Sequence, residues 1–456
     1  MRKNSKIHPS PLHILSPGQM MVAGFVFLIL LGAVLLTSPL SSANGTSTSF
    51  IDALFTATSA VCVTGLVVVD TSIHWSIFGK VVIILLIQVG GLGFMTLGTL
   101  VALIFGKKIN LRQRILIKEA LNQDDLSGSV KLIKKVLKYT LVIEGLGALL
   151  LSFAFIPQFG FLKGIGYSIF TSISSFCNAG FDLMGSISGE YSSIVSYYNR
   201  PLIVFTISAL IILGGIGFPV IINIVNKKHL KKLSLNSKMA LVTTAILIVG
   251  GFLMIFLGEV GHALHGMTLW EKFQVAFFQS VTTRTAGYAT IDLTQFREST
   301  LFVMIILMFI GASPASTGGG IKTTTAAVLF IAVKSFIKNE NEITVQHKRI
   351  NVFTFRKALG IFIIAISIAV LGVYLLSITQ DPKHFDILSC SFEVSSALAT
   401  VGLSLAGSYH LNGVGKVIIM VLMFAGRVGS LTIFTAFISE NKRKRVRYPE
   451  AKVLVG

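Results

Sequence analysis

The chain has 456 residues, of which 53% are hydrophobic and only 13% are charged, and its mean hydropathy is +0.79. These values exclude a soluble globule, since soluble domains carry about 25% charged residues. Thirty-nine Lys and Arg against 19 Asp and Glu leave a net charge of +20. The basic residues stand in short clusters between long apolar runs rather than on one folded face, so nucleic-acid binding is not indicated. The composition is that of a multipass membrane protein.

Eight apolar runs are long enough to cross the bilayer, because a helix needs roughly 20 residues to span about 30 Å of hydrocarbon. The first run follows a basic segment but ends without a small-residue cleavage site, so we expect an anchor rather than a removed signal peptide. The runs lie near residues 18–38, 80–105, 137–157, 201–225, 239–259, 300–337 (interrupted), 358–378 and 415–438.

The basic residues alternate from one gap between runs to the next. The N-terminus, residues 107–138, 227–238 and 334–357, and the C-terminal residues 442–452 together hold 29 of the 39 Lys and Arg. The positive-inside rule therefore places these segments and both termini in the cytoplasm. We expect these clusters to fix orientation and to contact anionic lipid.

The four outer gaps share one pattern, a short apolar stretch followed by a small-residue motif that ends in Gly and a hydrophobic residue. The motifs CVTGL, CNAGF, RTAGY and ATVGL place their glycines 115, 107 and 115 residues apart, at Gly65, Gly180, Gly287 and Gly402. A second glycine signal follows each motif, at Gly90, Gly214, Gly311 and Gly426. The recurrence predicts an all-α membrane protein of four tandem parallel repeats, each with an outer helix, a re-entrant pore helix, a filter strand and an inner helix.

The short stretches carry the functional prediction. A helix of about 12 residues is about 18 Å long and cannot cross the bilayer, so each stretch must enter and return. Non-helical backbone at membrane depth survives only where protein encloses it or where it lines a watery path. Glycine permits positive φ, which lets successive carbonyl oxygens face one axis and replace the water around a cation. The expected product is a cation-selective pore within one chain.

We expect the repeats to divide the chain at residues 1–106, 107–226, 227–337 and 338–441, followed by a cytoplasmic tail at 442–456. The second repeat begins with a predicted amphipathic helix near 109–125, which suits either the headgroup surface or a docked partner.

The third inner helix is interrupted by GASPASTGGG, which no ordinary helix tolerates. A packing kink is one explanation, and we prefer a flexible loop under the filter that blocks the pore. The predicted gating loop consists of Gly311, Ala312, Ser313, Pro314, Ala315, Ser316, Thr317, Gly318, Gly319 and Gly320.

Several charges are not explained by topology. Arg427 lies far from either end of its apolar run, and such a charge is functional by default. It fits equally a cation barrier near the gating loop and a structural ion pair, for example with Glu144. Lys322, just past the loop, either faces the cytoplasmic vestibule or reaches the headgroups, with a slight preference for the headgroups. Arg284 is expected to brace the filter through a carboxylate.

Five acidic residues are expected near the outer mouth, where they concentrate cations, cap helices or pair with basic residues. Asp52, at the start of a short helix, is the clearest case of a residue that caps a helix or pairs with a basic residue. The five are Asp52, Asp70, Asp182, Asp292 and Glu393.

The ordered motifs FIDALFTATSAVCVTGLVVVD, LIQVGGLGFMT, EALNQ, ISSFCNAGF, QSVTTRTAGYATID, SPASTGGGIKTTT, GRVGSLT and RYPEAKVLVG cover nearly the whole chain. On these motifs the chain resembles the membrane subunits of the Trk/Ktr/HKT superfamily of potassium transporters, above all the bacterial Ktr type of the KtrB or KtrD kind. The resemblance implies a K⁺ selectivity filter that binds the ion through backbone carbonyls, and Gly65 looks like the potassium type of first filter glycine. The implied filter consists of Val63, Thr64 and Gly65; Asn178, Ala179 and Gly180; Thr285, Ala286 and Gly287; and Thr400, Val401 and Gly402.

The resemblance also implies a homodimer in the bacterial plasma membrane, in which each subunit has its own pore. A cytoplasmic ring of a KtrA/KtrC-type regulatory subunit would bind the nucleotide (ATP or ADP), and this chain would need no cofactor of its own. The leading function is thus a potassium uptake subunit, with Na⁺ as a candidate activator and osmotic adaptation as its setting.

Two other functions remain in view. One is a Na⁺- or H⁺-coupled potassium symporter, or the pore subunit of an ATP-driven pump whose ATP acts on another chain, because this chain has no Walker A motif. The other is a membrane enzyme, which is disfavoured because the sequence has no HExxH motif, no nucleophile elbow and no paired intramembrane carboxylates. The three cysteines, Cys62, Cys177 and Cys390, show no metal-ligand spacing.

Overall fold

The computed structural model describes residues 17–93, 129–227, 229–340 and 342–429. The regular secondary structure of these ranges is helical apart from one short antiparallel hairpin, which confirms the expected helical membrane-type fold. The helices are α1 Pro17–Thr37, α2 Phe50–Cys62, α3 Ile77–Leu92, α4 Ser129–Phe159, α5 Phe161–Phe176, α6 Gly185–Ser188, α7 Pro201–Gly215, α8 Phe218–Lys227, α9 Leu235–Glu259, α10 Leu269–Thr282, α11 Glu298–Phe309, α12 Thr323–Ile337, α13 Val352–Thr379, α14 Ile387–Ala399 and α15 Gly413–Val428, and the strands are β1 Thr344–Val345 and β2 Lys348–Arg349.

Four helices of the described ranges, α1, α4, α9 and α13, are individually long and apolar enough to cross a membrane. They have 21, 31, 25 and 28 residues. Much of their apolar surface is uncovered, and Phe27 of α1 and Leu257 of α9 are 64% and 72% exposed. Exposed apolar surface on this scale is a liability in water but suits contact with lipid tails.

The other predicted spans differ from simple straight helices. The run near 201–225 is not one straight helix, because α7 and α8 meet at an angle of 95°. The run near 300–337 is interrupted as expected, between the end of α11 at Phe309 and the start of α12 at Thr323. Helices α3 and α15 cover the described parts of the runs near 80–105 and 415–438.

The short helices α2, α5, α10 and α14 have 13 to 16 residues, and at 1.5 Å per residue they are too short to span. Side-chain caps begin two of them. Thr268 and Glu271 form a reciprocal capping box at the start of α10, and Asp386 accepts a hydrogen bond from the Ser389 N–H at the start of α14. Such caps satisfy backbone donors that no helical carbonyl reaches.

The helices close into a ring. Each short helix packs against the long helix before it, in the pairs α1–α2, α4–α5, α9–α10 and α13–α14. Each also packs against an inner helix of the preceding segment, in the pairs α3–α5, α7–α10 and α11–α14, and α15 returns to pack against α2. The largest buried cluster joins Ala57 and Ile83 of the N-terminal half to Leu422 and Met423 of α15. The short helices are therefore enclosed by protein on several sides.

Residues 344–349 form a hairpin between α12 and α13, closed by an exposed ion pair between Arg349 and Glu342 (2.9 Å). The predicted amphipathic helix near 109–125 and the tail at 442–456 lie outside the described residues.

Candidate ion pathway

Each short helix leads into an irregular segment of three residues, the predicted filter strand, which is not part of a β-sheet. Each filter strand begins in the left-handed region of backbone conformation. The first residues are Val63, Asn178, Thr285 and Thr400, with φ of 57°, 59°, 68° and 52°. Two residues later each strand has a glycine with positive φ, in which a side chain would be strained. These are Gly65 (92°), Gly180 (69°), Gly287 (79°) and Gly402 (96°).

The four glycines approach one another in a closed cycle. A Cβ on Gly65 would lie 2.5 Å from the Ala179 carbonyl oxygen, and a Cβ on Gly180 would lie 2.7 Å from that of Ala286. A Cβ on Gly287 would lie 2.6 Å from Val401 O. A Cβ on Gly402 would lie 2.2 Å from Thr64 O, which closes the cycle. Real Cβ atoms do not approach backbone oxygens this closely, so each of the four positions excludes any side chain.

Hydroxyl groups of the short helices and one tyrosine hold the strands in place. Ser59 Oγ accepts the Gly65 N–H and Ser396 Oγ accepts the Gly402 N–H, both at 3.0 Å. Tyr288 donates its phenolic hydroxyl to Phe181 O at 3.1 Å and links the second strand to the third. These side-chain hydroxyls thus restrain the backbone of the strands through hydrogen bonds.

The loop at 311–320 lies directly against the start of these strands. The Thr317 hydroxyl is 3.1 Å from both Phe176 O and Asn178 Oδ1. The next two loop residues also lie against the strands. A Cβ on Gly318 would lie 2.0 Å from Thr285 Oγ1, and a Cβ on Gly319 would lie 2.4 Å from Thr400 Oγ1. Three consecutive loop residues therefore cover the starts of three strands.

The bend between α7 and α8 receives the same loop. Gly217 has a φ of 92°, and a Cβ there would lie 2.5 Å from Pro314 O. A bend frees backbone groups that a straight helix pairs internally. Three backbone hydrogen bonds to the loop satisfy these groups, from Ser313 N to Gly215 O (2.9 Å), from Thr317 N to Gly214 O (3.3 Å) and from Phe218 N to Ala315 O (2.9 Å).

Two cationic side chains, Arg427 and Lys322, donate hydrogen bonds to backbone carbonyls of the loop. Arg427 donates to the carbonyl oxygens of Thr317, Gly90 and Gly91. Its guanidinium thereby bridges the loop at 311–320 and the end of α3. No ion pair joins Arg427 to Glu144 among the described residues, so the suggested partner is wrong.

Glu144 instead accepts a hydrogen bond from Gln88 Nε2 at 3.2 Å, behind the second strand. Lys322 donates its Nζ to Gly318 O at 2.7 Å. Its side chain bends back onto the loop, so the preferred placement at the lipid headgroups is wrong.

Arg284 also departs from expectation. Its Nη2 donates to Gly311 O at 2.8 Å, and the side chain is 5% exposed. No carboxylate in the described part of the chain binds it, so the predicted brace through a carboxylate is wrong. Arg284 connects the third strand to the first residue of the loop.

The predicted outer carboxylates are mostly engaged by the protein. Of the two roles predicted for Asp52, the pair is confirmed, because its carboxylate lies 2.6 Å from Lys416 Nζ, whereas the cap position of α2 belongs to Ser49. Asp70 accepts backbone hydrogen bonds from Ser72, Ile73 and Tyr191, and Asp182 accepts one from Met184. Asp292 caps a 3-10 turn, and buried Glu393 accepts hydrogen bonds from Ser404, Leu405 and Ser408.

The bend at Gly217 and the side-chain link between Asn178 and Thr317 were not predicted. The sequence GGIGFP contained a signal for the bend, because a residue before proline disfavours helical geometry and Pro219 is the second residue of α8. The Asn178 link has no comparable signal in one sequence.

Chemically, this arrangement offers a narrow ring of backbone rather than a catalytic group. The described residues contain no group of three or more His, Cys, Asp and Glu that could hold a metal ion. The three cysteines are buried and free. Backbone carbonyls and a few neutral side-chain oxygens are the ligands at hand, and these suit a monovalent cation.

Comparison with known proteins gives matches over nearly the whole chain. The family TrkH, described as a cation transport protein, matches residues 11–446. The potassium/sodium uptake protein NtpJ of Enterococcus hirae is 43% identical over 446 residues, covering 97% of this chain and 98% of that protein. The Ktr system potassium uptake protein B of Bacillus subtilis is 39% identical, covering 97% of each chain. The crystal structure of the potassium transporter TrkH from Vibrio parahaemolyticus has a TM-score of 0.71 at 18% identity, covering 96% of this chain and 87% of that one, and so shares the fold.

Proposed function

Because this chain belongs to the TrkH family of cation transport proteins, we propose that it is the membrane subunit of a potassium uptake system in the bacterial plasma membrane. The observation that carries this proposal is the closed cycle of Gly65, Gly180, Gly287 and Gly402, whose spacing leaves room only for backbone. Protein encloses these four non-helical strands, and non-helical backbone within a membrane can also line a watery path, which we infer to run between them. A ring of their carbonyl oxygens can replace the hydration shell of K⁺.

In this proposal the ion binds backbone oxygens of the twelve filter residues, and the chain carries no cofactor. Both termini and the basic segments lie in the cytoplasm, and the chain consists of four parallel repeats with the boundaries given above. The basic clusters face lipid headgroups rather than nucleic acid. The names of two relatives, "Ktr system potassium uptake protein B" and "Potassium/sodium uptake protein NtpJ", support K⁺ as the transported ion.

The proposed gate is the loop at 311–320 together with Lys322 and Arg427. Support comes from position, because the loop covers the starts of three strands and Arg427 holds Thr317 O. A cationic guanidinium beside this path also raises the electrostatic barrier to cations. Displacing the loop would remove both obstacles together.

Control of that gate is assigned to a second protein. We place a cytoplasmic ring of KtrA/KtrC-type subunits, which bind ATP or ADP, under a homodimer of this chain. The word "system" in a relative's name supports a multi-subunit assembly. Na⁺ is the candidate activator, since another relative is named for both potassium and sodium.

The test is K⁺ or Rb⁺ flux in proteoliposomes that contain the purified chain. We expect flux that follows the K⁺ electrochemical gradient and increases when the regulatory ring is added with ATP. Absence of K⁺ flux with and without the ring would refute the proposal. Flux that requires an imposed Na⁺ or H⁺ gradient would instead establish the second candidate, a coupled symporter, which the potassium/sodium name of the relative favours.

A further inference from the structure

One quarter of the ring, meaning one filter strand with the helices around it, has a longer segment after its strand than the others. In the second quarter the chain takes 34 residues from the filter glycine Gly180 to the second glycine signal at Gly214, against 24 or 25 in the other three quarters. The segment between the second strand and α7, residues 181–200, contains the short helix α6. The contacts of this segment suggest what its extra length does.

Three consecutive residues of the segment, which we call the strap, contact all three other quarters. The strap consists of Tyr191, Ser192 and Ser193. In the first quarter, Tyr191 N donates to Asp70 Oδ2 at 3.0 Å, and the Tyr191 hydroxyl lies 3.5 Å from Val68 O. The Asp70 carboxylate is itself held, because its Oδ1 accepts the N–H groups of Ser72 and Ile73. These contacts anchor the strap just beyond the first filter strand.

The strap also reaches the third and fourth quarters. Ala289, just after the third filter glycine, donates its N–H to Ser193 Oγ at 3.1 Å. The ring of Tyr191 stacks on that of Tyr409, which follows the fourth filter strand, with centroids 4.2 Å apart and planes at 23°. In the glycine cycle the second strand neighbours the first and the third and lies across from the fourth. The stack therefore joins two quarters that face each other across the ring.

The backbone of the strap has the same unusual conformation as the starts of the filter strands. Tyr191 and Ser193 have φ of 59° and 53°, in the left-handed region that bulky residues rarely adopt. Such strain persists only where the surrounding contacts hold it, and it is concentrated at functional sites. Here it allows residues two positions apart to contact three different quarters.

We propose that Tyr191 and Ser193 are positioning residues that fix the spacing of the four filter strands at the end opposite the loop at 311–320. This inference rests on the proposed function and assigns no ion ligand to the strap. Preference for K⁺ over Na⁺ depends on how many carbonyl oxygens surround the ion and how closely they can approach it. A ring tied at this end resists contraction onto the smaller Na⁺, so the strap supports the preference for K⁺.

The first test is Tyr191→Ala in proteoliposomes, with the ratio of K⁺ to Na⁺ flux as the readout. This change removes the stack with Tyr409. We expect K⁺ flux to persist and the K⁺/Na⁺ ratio to fall by about fivefold, the middle of the range for one aromatic pair. Tyr191→Phe keeps the ring and should keep the wild-type ratio, because the hydroxyl is too far from Val68 O for a strong hydrogen bond. The control is Tyr374→Ala, which removes a 60% exposed ring of α13.

The second test breaks the link to the third quarter. Ser193→Ala removes the oxygen that accepts the Ala289 N–H, so it should also lower the K⁺/Na⁺ ratio. Its matched control is Ser192→Ala, because Ser192 Oγ donates to Gly189 O at 2.7 Å within the same quarter. That neighbouring change should leave the ratio as it is in the wild type.

Tyr409→Ala reaches the stack from the fourth quarter, where this ring is 42% exposed. It should lower the ratio as much as Tyr191→Ala does. The double variant should be no worse than either single variant, because both remove the same contact. The stack is therefore tested even if Tyr191→Ala does not fold.

An unchanged ratio in Tyr409→Ala and Ser193→Ala, with K⁺ flux retained and only thermal stability lowered, would overturn the positioning role and leave the carbonyl filter standing. Absence of K⁺ flux in the unmodified chain would instead defeat the proposed function itself.

Discussion

Replacing Gly217 by alanine tests whether the bend between α7 and α8 holds the gating loop in place. The residue has a φ of 92°, and a Cβ would lie 2.5 Å from Pro314 O. Alanine in such a backbone conformation costs about 1–3 kcal/mol. Relief of the contact requires Pro314 to move, which also weakens the neighbouring bonds from Phe218 N to Ala315 O and from Ser313 N to Gly215 O.

Each of those two hydrogen bonds contributes about 1 kcal/mol. Together with the backbone strain, the loop in its present position should lose about 3–5 kcal/mol relative to a displaced loop. A tenfold change corresponds to about 1.4 kcal/mol, so the equilibrium should shift toward the displaced loop by at least about 100-fold. We therefore expect a large rise in K⁺ flux that no longer requires the regulatory ring.

The assay is K⁺ flux in proteoliposomes without the ring, normalised to folded protein. Gly360→Ala is the control, because Gly360 lies within α13 and nothing is found within 4 Å of a Cβ there. If Gly217→Ala lowered thermal stability while its flux matched that of Gly360→Ala, the bend would serve stability only and the reasoning would fail.

Three further variants follow from the same geometry. Gly402→Ala would place a Cβ 2.2 Å from Thr64 O, so we expect K⁺ flux to fall to background in protein that still purifies in folded form; wild-type flux would contradict the closed cycle. Arg427→Gln removes charged hydrogen bonds to Thr317 O and to the end of α3, each contributing about 1.5–3 kcal/mol, and should raise ring-independent flux at least tenfold; loss of folding with unchanged flux per folded molecule would mark Arg427 as structural. Glu144→Gln keeps the contact with Gln88 and touches no bond of Arg427, so flux should not change, and an effect equal to that of Arg427→Gln would show a coupling that the structure lacks.

Local chemistry made some of the pathway predictable from sequence. The loop at 311–320 was foreseen because four glycines and a proline cannot continue a helix, and the helical membrane fold followed from apolar run lengths. The expected membership of the Trk/Ktr/HKT superfamily is confirmed by the match over residues 11–446. In each case the signal lies within one stretch of chain.

Contacts between distant stretches were not predictable in the same way. One of the two interpretations of Arg427 was an ion pair with a carboxylate, but the end of α3 near Gly90 and the loop supply backbone carbonyls instead. Arg284 likewise binds Gly311 O rather than an acid. The sequence does not show which carbonyl groups are left free at helix ends, because every residue has a backbone carbonyl. The 95° bend after Gly215 was missed since apolarity continues unbroken through both helices.

The ring of helices closes within a single polypeptide, with α15 returning to α2. A channel assembled from four identical chains must repeat every substitution four times around its axis. Here a different stretch of the same sequence encodes each quarter of the ring, and the four quarters differ from one another. The second carries a bend, the third carries a loop and the fourth carries an arginine. One mutation can therefore alter one wall alone, and a single asymmetric plug becomes possible where fourfold symmetry would demand four that collide.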